Sequence, residues 1–184
     1  KGEVEVVTDE QPGKADPAKI HTLKPAFAKD GSVTAANSSS ISDGAAALVL
    51  MRLSEAERRG LKPLAAIRGH AMHAQAPAWF STAPIGAMNK LFERTGWDKN
   101  EVDAYEVNEA FAVVAMAAMK ELGLSHDNVN VFGGACALGH PIGASGARIL
   151  VTLLNVLKQK GGKRGVASLC IGGGEATAMA VELM

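Results

Sequence analysis

Apolar and polar positions alternate at the start of the chain, through Val4-Glu5-Val6-Val7, which predicts a strand. Residues 8–42 are polar and interrupted by Pro12, Gly13, Pro17, Pro25 and Gly31, so they predict a long excursion with little regular structure. Leu23, Phe27 and Val33 are its apolar anchors. An unbroken apolar run at 45–51 predicts a fully buried strand, although the pattern alone also admits a short helix. Residues 54–59 predict a short helix with Ser54 as N-cap, Glu57 at the capping-box position and Gly60 as terminator. Alternation returns at 64–74, where His70 and His73 would face opposite sides of a sheet. Ile85, Met88, Leu91 and Phe92 then share one helical face over 84–95. A strand at 102–107 precedes a helix at 110–122, and a glycine-rich run at 133–146 precedes an apolar helix at 147–160. Strands at 165–170 and 176–183 read as an antiparallel pair around a glycine turn. Strands alternating with helices predict an α/β sheet with helices packed on it.

Composition narrows the function classes. With 47% apolar and 21% charged residues, the 184-residue chain is that of a globular protein with one sizeable core, or one core and a small appendage. Its formal net charge is +0, so no net field points toward nucleic acid or an acidic membrane. The run at 45–51 is too short to span a bilayer, and no signal-peptide pattern opens the chain. Two cysteines, Cys136 and Cys170, make neither a disulfide framework nor a four-thiolate metal site, and His70 and His73 are too few for one. A reducing, cytoplasmic setting is the expectation. Lys1-Gly2-Glu3 lacks an initiator Met and runs straight into patterned sequence, so a piece of a longer protein is expected.

Three motifs carry chemistry. Asn108-Glu109-Ala110-Phe111-Ala112 lies where a strand gives way to a helix. The run Gly133-Gly134-Ala135-Cys136-Ala137-Leu138-Gly139-His140-Pro141-Ile142-Gly143-Ala144-Ser145-Gly146-Ala147-Arg148 fills the next such loop. Cys170-Ile171-Gly172-Gly173-Gly174 occupies the last turn. His140, restrained by Pro141 and uncrowded at Gly139, can take a proton from a thiol or donate to a developing oxyanion near neutral pH. Cys170 can shuttle protons if its surroundings tune the thiol, and the glycines after it let backbone N–H groups approach a substrate oxygen. The bland readings are a structural histidine, a buried cysteine before a hairpin turn and, for Asn108, a helix N-cap. A run of three glycines is a costly way to build only a hairpin turn. A phosphate cradle of the P-loop kind is excluded, because residues 139–145 lack the lysine and the spacing.

In this order and spacing the three motifs resemble the C-terminal half of the thiolase family, over nearly the whole chain. The resemblance implies a thiolase-type α/β fold: a mixed sheet with helices on both faces at 43–184, and the end of a coenzyme A-binding loop region at 1–42. It implies that His140 activates an acylated cysteine and contributes to an oxyanion hole. By the same likeness Asn108 holds a water in that hole, Cys170 moves the α-proton, and Gly172 offers a backbone N–H to a second hole. The acylated cysteine belongs to an N-terminal half outside this sequence, so half an active site is expected here. Cys136 departs from the family pattern and reads as packing beneath the loop. By position, Leu23, Phe27, Ala35 and Ser39 would line the coenzyme A path, with Phe80 and Phe111 near the thioester; residues 79–84 depart most from the pattern. Leu23 and Phe27 read equally as plain loop anchors.

The implied reaction is acyl transfer: thiolytic cleavage of acetoacetyl-CoA, or the reverse Claisen condensation of two acetyl-CoA. Coenzyme A enters as substrate or product, with no permanently bound cofactor and no metal. Residues Thr34-Ala35-Ala36-Asn37 and Ser42-Asp43-Gly44-Ala45 lean toward the short-chain branch over a degradative enzyme for longer 3-ketoacyl-CoA. Ketoacyl synthases share the fold but are not expected to carry a Cys170 before three glycines. A non-catalytic module for coenzyme A or lipid would be marked by loss of His140 or Cys170, and both are present. Implied partners are acyl-CoA, the N-terminal half, and further copies in a homodimer or homotetramer, without nucleic acid or membrane. The helix at 146–157, apolar nearly all round, is expected to lie inside a larger body.

Overall fold

The computed structural model describes residues 2–184; Lys1, the first residue of the predicted loop region, lies outside them. Two compact units emerge, Lys1–Ala36 and Asn37–Met184. The first contains a helix α1 (Glu10–Lys14) and a 3-10 turn (Pro17–Thr22). Asp9 and Asp16 start them by accepting the N–H groups of Gln11 and Ala18. The strand predicted at Val4–Val7 does not form. Those residues pair with no strand among the described residues and stand exposed, so alternation without a neighbouring edge yields no strand.

The second unit is built on four strands: β1 (Ala65–Ala74), β2 (Ala104–Val107), β3 (Arg164–Cys170) and β4 (Glu175–Leu183). They order as β1-β4-β3-β2, with β2 parallel to β3 and the other neighbours antiparallel. The sheet is therefore mixed, and β3 and β4 form the expected antiparallel pair around the glycine turn. Helices α3 (Ala83–Thr95) and α4 (Ala112–Leu122) cover one face, where Met88, Leu91, Val107, Val114 and Val166 form the larger core. Helix α6 (Ser145–Lys160) covers the other through Ile149, Leu153, Val156 and Leu157. Each fully buried side chain of this size contributes about 1.5–3 kcal/mol of transfer free energy. The outward positions Leu150, Val151 and Leu154 remain half-buried, so within this chain α6 is covered on one side only.

Two further expectations fail. Residues 45–51 join no ladder among the described residues, and Val49 and Leu50 are 88% and 65% exposed rather than buried. A buried strand needs neighbours on both edges, and this run has none among the described residues. Helix α2 (Leu53–Arg58) begins one residue early, with Arg52 at the N-cap and Ser54 inside, so the Ser54 hydroxyl caps nothing. Gly60 does end that helix region, at φ +63°. His70 and His73 fall on opposite sides of β1, with His73 against α3 at Gly86. A four-residue helix α5 (Ala135–Leu138) precedes the His140 loop.

Candidate active site

The carboxyl ends of the parallel strands β2 and β3 collect the chemistry. Asn108 continues β2 by donating its N–H to the Ser168 carbonyl at 2.9 Å, so it is a strand-end residue rather than a helix cap; Phe111 holds the N-cap position of α4. Cys170 ends β3 two residues beyond Ser168. Open α/β sheets present ligand-binding groups at this end of their strands.

His140 arrives from the glycine-rich loop. Gly139 before it holds φ +89°, and a Cβ there would fall on the Ser42 hydroxyl. The His140 N–H donates to the Ser40 carbonyl at 3.0 Å, and Ile41 forms a parallel bridge with His140. One imidazole nitrogen, Nε2, lies 3.4 Å from the Asn108 amide Nδ2. The other, Nδ1, lies 2.6 Å from Ser145 Oγ in the first turn of α6. That hydroxyl donates its own proton to the Pro141 carbonyl at 3.0 Å, so it can only accept from the ring. The proton therefore sits on Nδ1, and Nε2 carries a lone pair toward Asn108. Burial, and then the positive charge of Arg148, hold the imidazole below its usual titration range, favouring the neutral base. Asn108 is 1% exposed, and its Oδ1 is buried without a partner. An orphaned buried amide oxygen beside a histidine is a place for a water or ligand donor.

Cys170 is buried, and burial raises its thiol above the ordinary range, so it rests protonated. Beyond it, Ile171 donates to the Glu175 carbonyl at 2.8 Å and Gly174 donates to the Ile171 carbonyl at 3.1 Å. Neither bond uses the N–H of Gly172, which sits on the exposed side of the turn with open space where a Cβ would be. Gly174 makes the turn possible: it holds φ +100°, and a Cβ would strike the Gln75 carbonyl and the Pro77 backbone.

The remaining expected residues divide. Ser39 donates both its N–H and its hydroxyl to the Ala110 carbonyl, and the Phe80 and Phe111 rings meet edge to face with centroids 6.1 Å apart. The segment with Ser39 thus runs beside the loop after Asn108, since Ser38 also bridges Phe111. Leu23, Phe27 and Ala35 stand in the first unit, the two larger ones 39% and 76% exposed there. Cys136 is half-buried, its N–H donating to Glu109 Oε2 at 3.1 Å, and burial beside that carboxylate pushes its thiol up to about 11. It is a poor thiolate source.

Sequence reasoning missed the support beneath the site. Glu109 accepts from the Cys136 N–H and from Asn130 Nδ2, while Asn130, at φ +50°, also exchanges two hydrogen bonds with the Val107 backbone. Ser145, Glu106 and Arg148 were missed too. The signal for Glu106 was available, since a carboxylate inside an otherwise apolar strand rarely lacks a purpose.

Comparison with known proteins identifies the family. Residues 61–183 match the family described as "Thiolase, C-terminal domain", and residues 1–54 match "Thiolase, N-terminal domain". The chain belongs to the thiolase family. It is 57% identical to Acetyl-CoA acetyltransferase 1 of Arabidopsis thaliana over 177 residues, covering 96% of this chain and 43% of the relative. Cytosolic acetyl-CoA acetyltransferase of Mus musculus is 51% identical over 185 residues, covering 99% and 47%. Among solved structures, Bacillus anthracis acetyl-CoA acetyltransferase superposes with TM-score 0.88 at 46% identity, covering 91% of this chain and 42% of the other. Acat5 thiolase from Ascaris suum in complex with coenzyme A gives TM-score 0.85 at 39% identity, covering 97% and 47%. The chain thus spans less than half the length of these thiolases. The exposed run at 45–51 falls within the part matched to the thiolase N-terminal domain, while the four-stranded sheet falls within the part matched to the C-terminal domain. That division accounts for an apolar segment with no ladder to join.

Proposed function

We propose that this chain supplies the proton-handling half of a thiolase active site, for cleavage of acetoacetyl-CoA by coenzyme A or the reverse condensation of two acetyl-CoA. The observation that carries the reading is the hydrogen-bonded row Ser145–His140–Asn108 beside the end of the strand that carries Cys170. The neutral Nε2 of His140 takes the proton of a cysteine thiol supplied by an N-terminal half, and the thiolate attacks the acyl thioester. Coenzyme A leaves as the thiol when its sulfur takes a proton from Cys170, or from water where that thiol is missing, and His140 keeps its proton on Nε2. The Cys170 thiolate left by that transfer removes the α-proton of the incoming acetyl thioester. His140 and a water held by Asn108 donate to the enolate oxygen, and the Gly172 N–H donates to the oxyanion of the tetrahedral intermediate.

Ser39, Phe80 and Phe111 line the thioester end in this reading, and Leu23, Phe27 and Ala35 the coenzyme A path. A loop region to residue 42 and a catalytic domain from 43 follow from the same reading. So do assembly into a homodimer or homotetramer and a cytoplasmic location, the last supported by the cytosolic names of the mouse and rat relatives. Coenzyme A is substrate and product, and no resident cofactor or metal is required. Short-chain substrates are favoured because identity to acetyl-CoA acetyltransferases reaches 57%, against 35% to human mitochondrial 3-ketoacyl-CoA thiolase.

Partial reactions test the division of labour in the chain complemented by a thiolase N-terminal domain. Cys170→Ala should keep the acyl transfer burst from acetyl-CoA and lose exchange of its methyl protons with deuterated water. Exchange persisting at the native rate would remove Cys170 from the mechanism.

A further inference from the structure

Below the His140–Asn108 contact lies a second buried polar pair that the proposed mechanism does not use. Glu106 on β2 precedes Asn108 by two residues, so both lie on the same side of the strand path. Arg148 on α6 follows Ser145 by three, on the same helical side. The two elements therefore face each other in two rungs: Asn108 with His140 and Ser145 above, Glu106 with Arg148 beneath. Glu106 is 1% exposed, and its carboxylate approaches Arg148 only to 3.9 Å. Arg148 also reaches the Thr152 hydroxyl at 3.5 Å, but its Nε and Nη2, and Glu106 Oε1, are buried without partners. A guanidinium so loosely paired has positive field left over, and in a buried setting that field acts on the next group along.

We propose that Glu106 and Arg148 form a positioning pair for His140, with Arg148 presenting positive charge to the imidazole so that the ring enters the reaction neutral. The proposal rests on the role given to His140 above. The ring contacts Ser145 from α6 and Asn108 from the end of β2, the backbone N–H of His140 meets the Ser40 carbonyl, and Arg148, three residues after Ser145 on α6, acts on the ring through its charge. Among these, Arg148 alone carries a charge, and it opposes protonation of the ring. Glu106 is faced by Arg148 and, from the loop after β2, by Glu109. Its carboxylate is not fully ionised near neutral pH, being pushed up to about 7 by burial against the opposing pull of Arg148. An ionised Glu106 partly cancels the guanidinium, and a protonated one releases it. The pair thereby adjusts the charge that His140 meets, without touching substrate.

The test is the titration of the His140 ring followed by proton–nitrogen NMR of the full 184-residue chain without substrate, with the peak assigned through His140→Gln. The midpoint should rise in Arg148→Gln, hold in Arg148→Lys, and fall in Glu106→Gln. An unchanged midpoint in Arg148→Gln overturns the proposal, as does an equal rise in Arg148→Lys. Retention of the Nδ1–H tautomer reports that the Ser145 contact, and so the local fold, is intact. Should Arg148→Gln lose that signature, Glu106→Gln decides: a fall supports the pair, and no change or a rise overturns it. Because no turnover is read, failure here is separable from failure of the thiolase reading, which would leave complemented chain inactive on acetoacetyl-CoA.

Discussion

His140 owes its ring tautomer to a buried neighbour in the first turn of α6. Ser145 Oγ is committed as a donor to Pro141, which fixes the ring proton on Nδ1 and leaves Nε2 free to act as a base. Ser145→Ala therefore removes both a buried hydrogen bond and the tautomer preference. Stability should fall by about 1–3 kcal/mol in denaturant titration. Turnover of the complemented site should lose part of the ~10²–10⁴-fold that a positioned acid–base group supplies. An unchanged tautomer in the variant would show that Ser145 does not select it. Glu106 gives a signed pH effect. Its folded-state value, about 7, stands above the 4.5 of the free side chain, so the folded chain binds the extra proton between those pH values. Its contribution to stability is fully present below 4.5 and is lost as pH rises through 7. Glu106→Gln should accordingly gain stability relative to the native chain between pH 5 and 8, measured by urea midpoints at each pH. A parallel pH dependence in the two proteins would contradict this.

At the scale of elements, the final turn is where geometry is least forgiving. Gly174→Ala places a Cβ against the Gln75 and Pro77 backbone at φ +100° and should cost more than ~1 kcal/mol. The same change should reduce turnover by displacing Gly172, which a comparison of thermal midpoint with kcat in the complemented enzyme would reveal. Strands at 64–74 and 176–183 and the helices after Pro84, Phe111 and Ser145 were legible because each buries one face and burial writes a period into sequence, whereas the strands at 102–107 and 165–170 are buried nearly throughout. Val4–Val7 alternated and residues 45–51 ran unbroken apolar, yet neither formed a strand, because a strand is completed by its neighbours and not by its own pattern. Ser54 failed as a cap because the helix started at Leu53, one residue before it, a shift that capping preferences alone do not resolve. His140 and Asn108 were readable from local context, and the structure brings them together. The Glu109–Asn130 brace and the Glu106–Arg148 pair were not, since contacts across 21 to 42 residues leave no local pattern.

For the whole molecule, the distribution of apolar surface carries the argument. Ile41, Val49, Leu50 and Ile142 are each at least 65% exposed, and the outer side of α6 is only half covered. Single exposed apolar side chains are ordinary, but a helix face left half covered beside several of them is the mark of a missing partner surface. The isolated chain should therefore bind a hydrophobic fluorescent dye and self-associate in sizing experiments, and an N-terminal thiolase domain should suppress both. A monodisperse monomer without dye binding would contradict a missing partner surface. The catalytic side tells the same story, since Cys136 is held protonated and Cys170 lies buried, leaving no activated nucleophilic thiol on this chain. Thiolysis of acetoacetyl-CoA with free coenzyme A, followed through loss of its enolate absorbance, tests this most directly. The purified chain alone should give no turnover, and adding a thiolase N-terminal domain with its cysteine should restore it; turnover by the chain alone, abolished by Cys136→Ala or Cys170→Ala, would contradict the account.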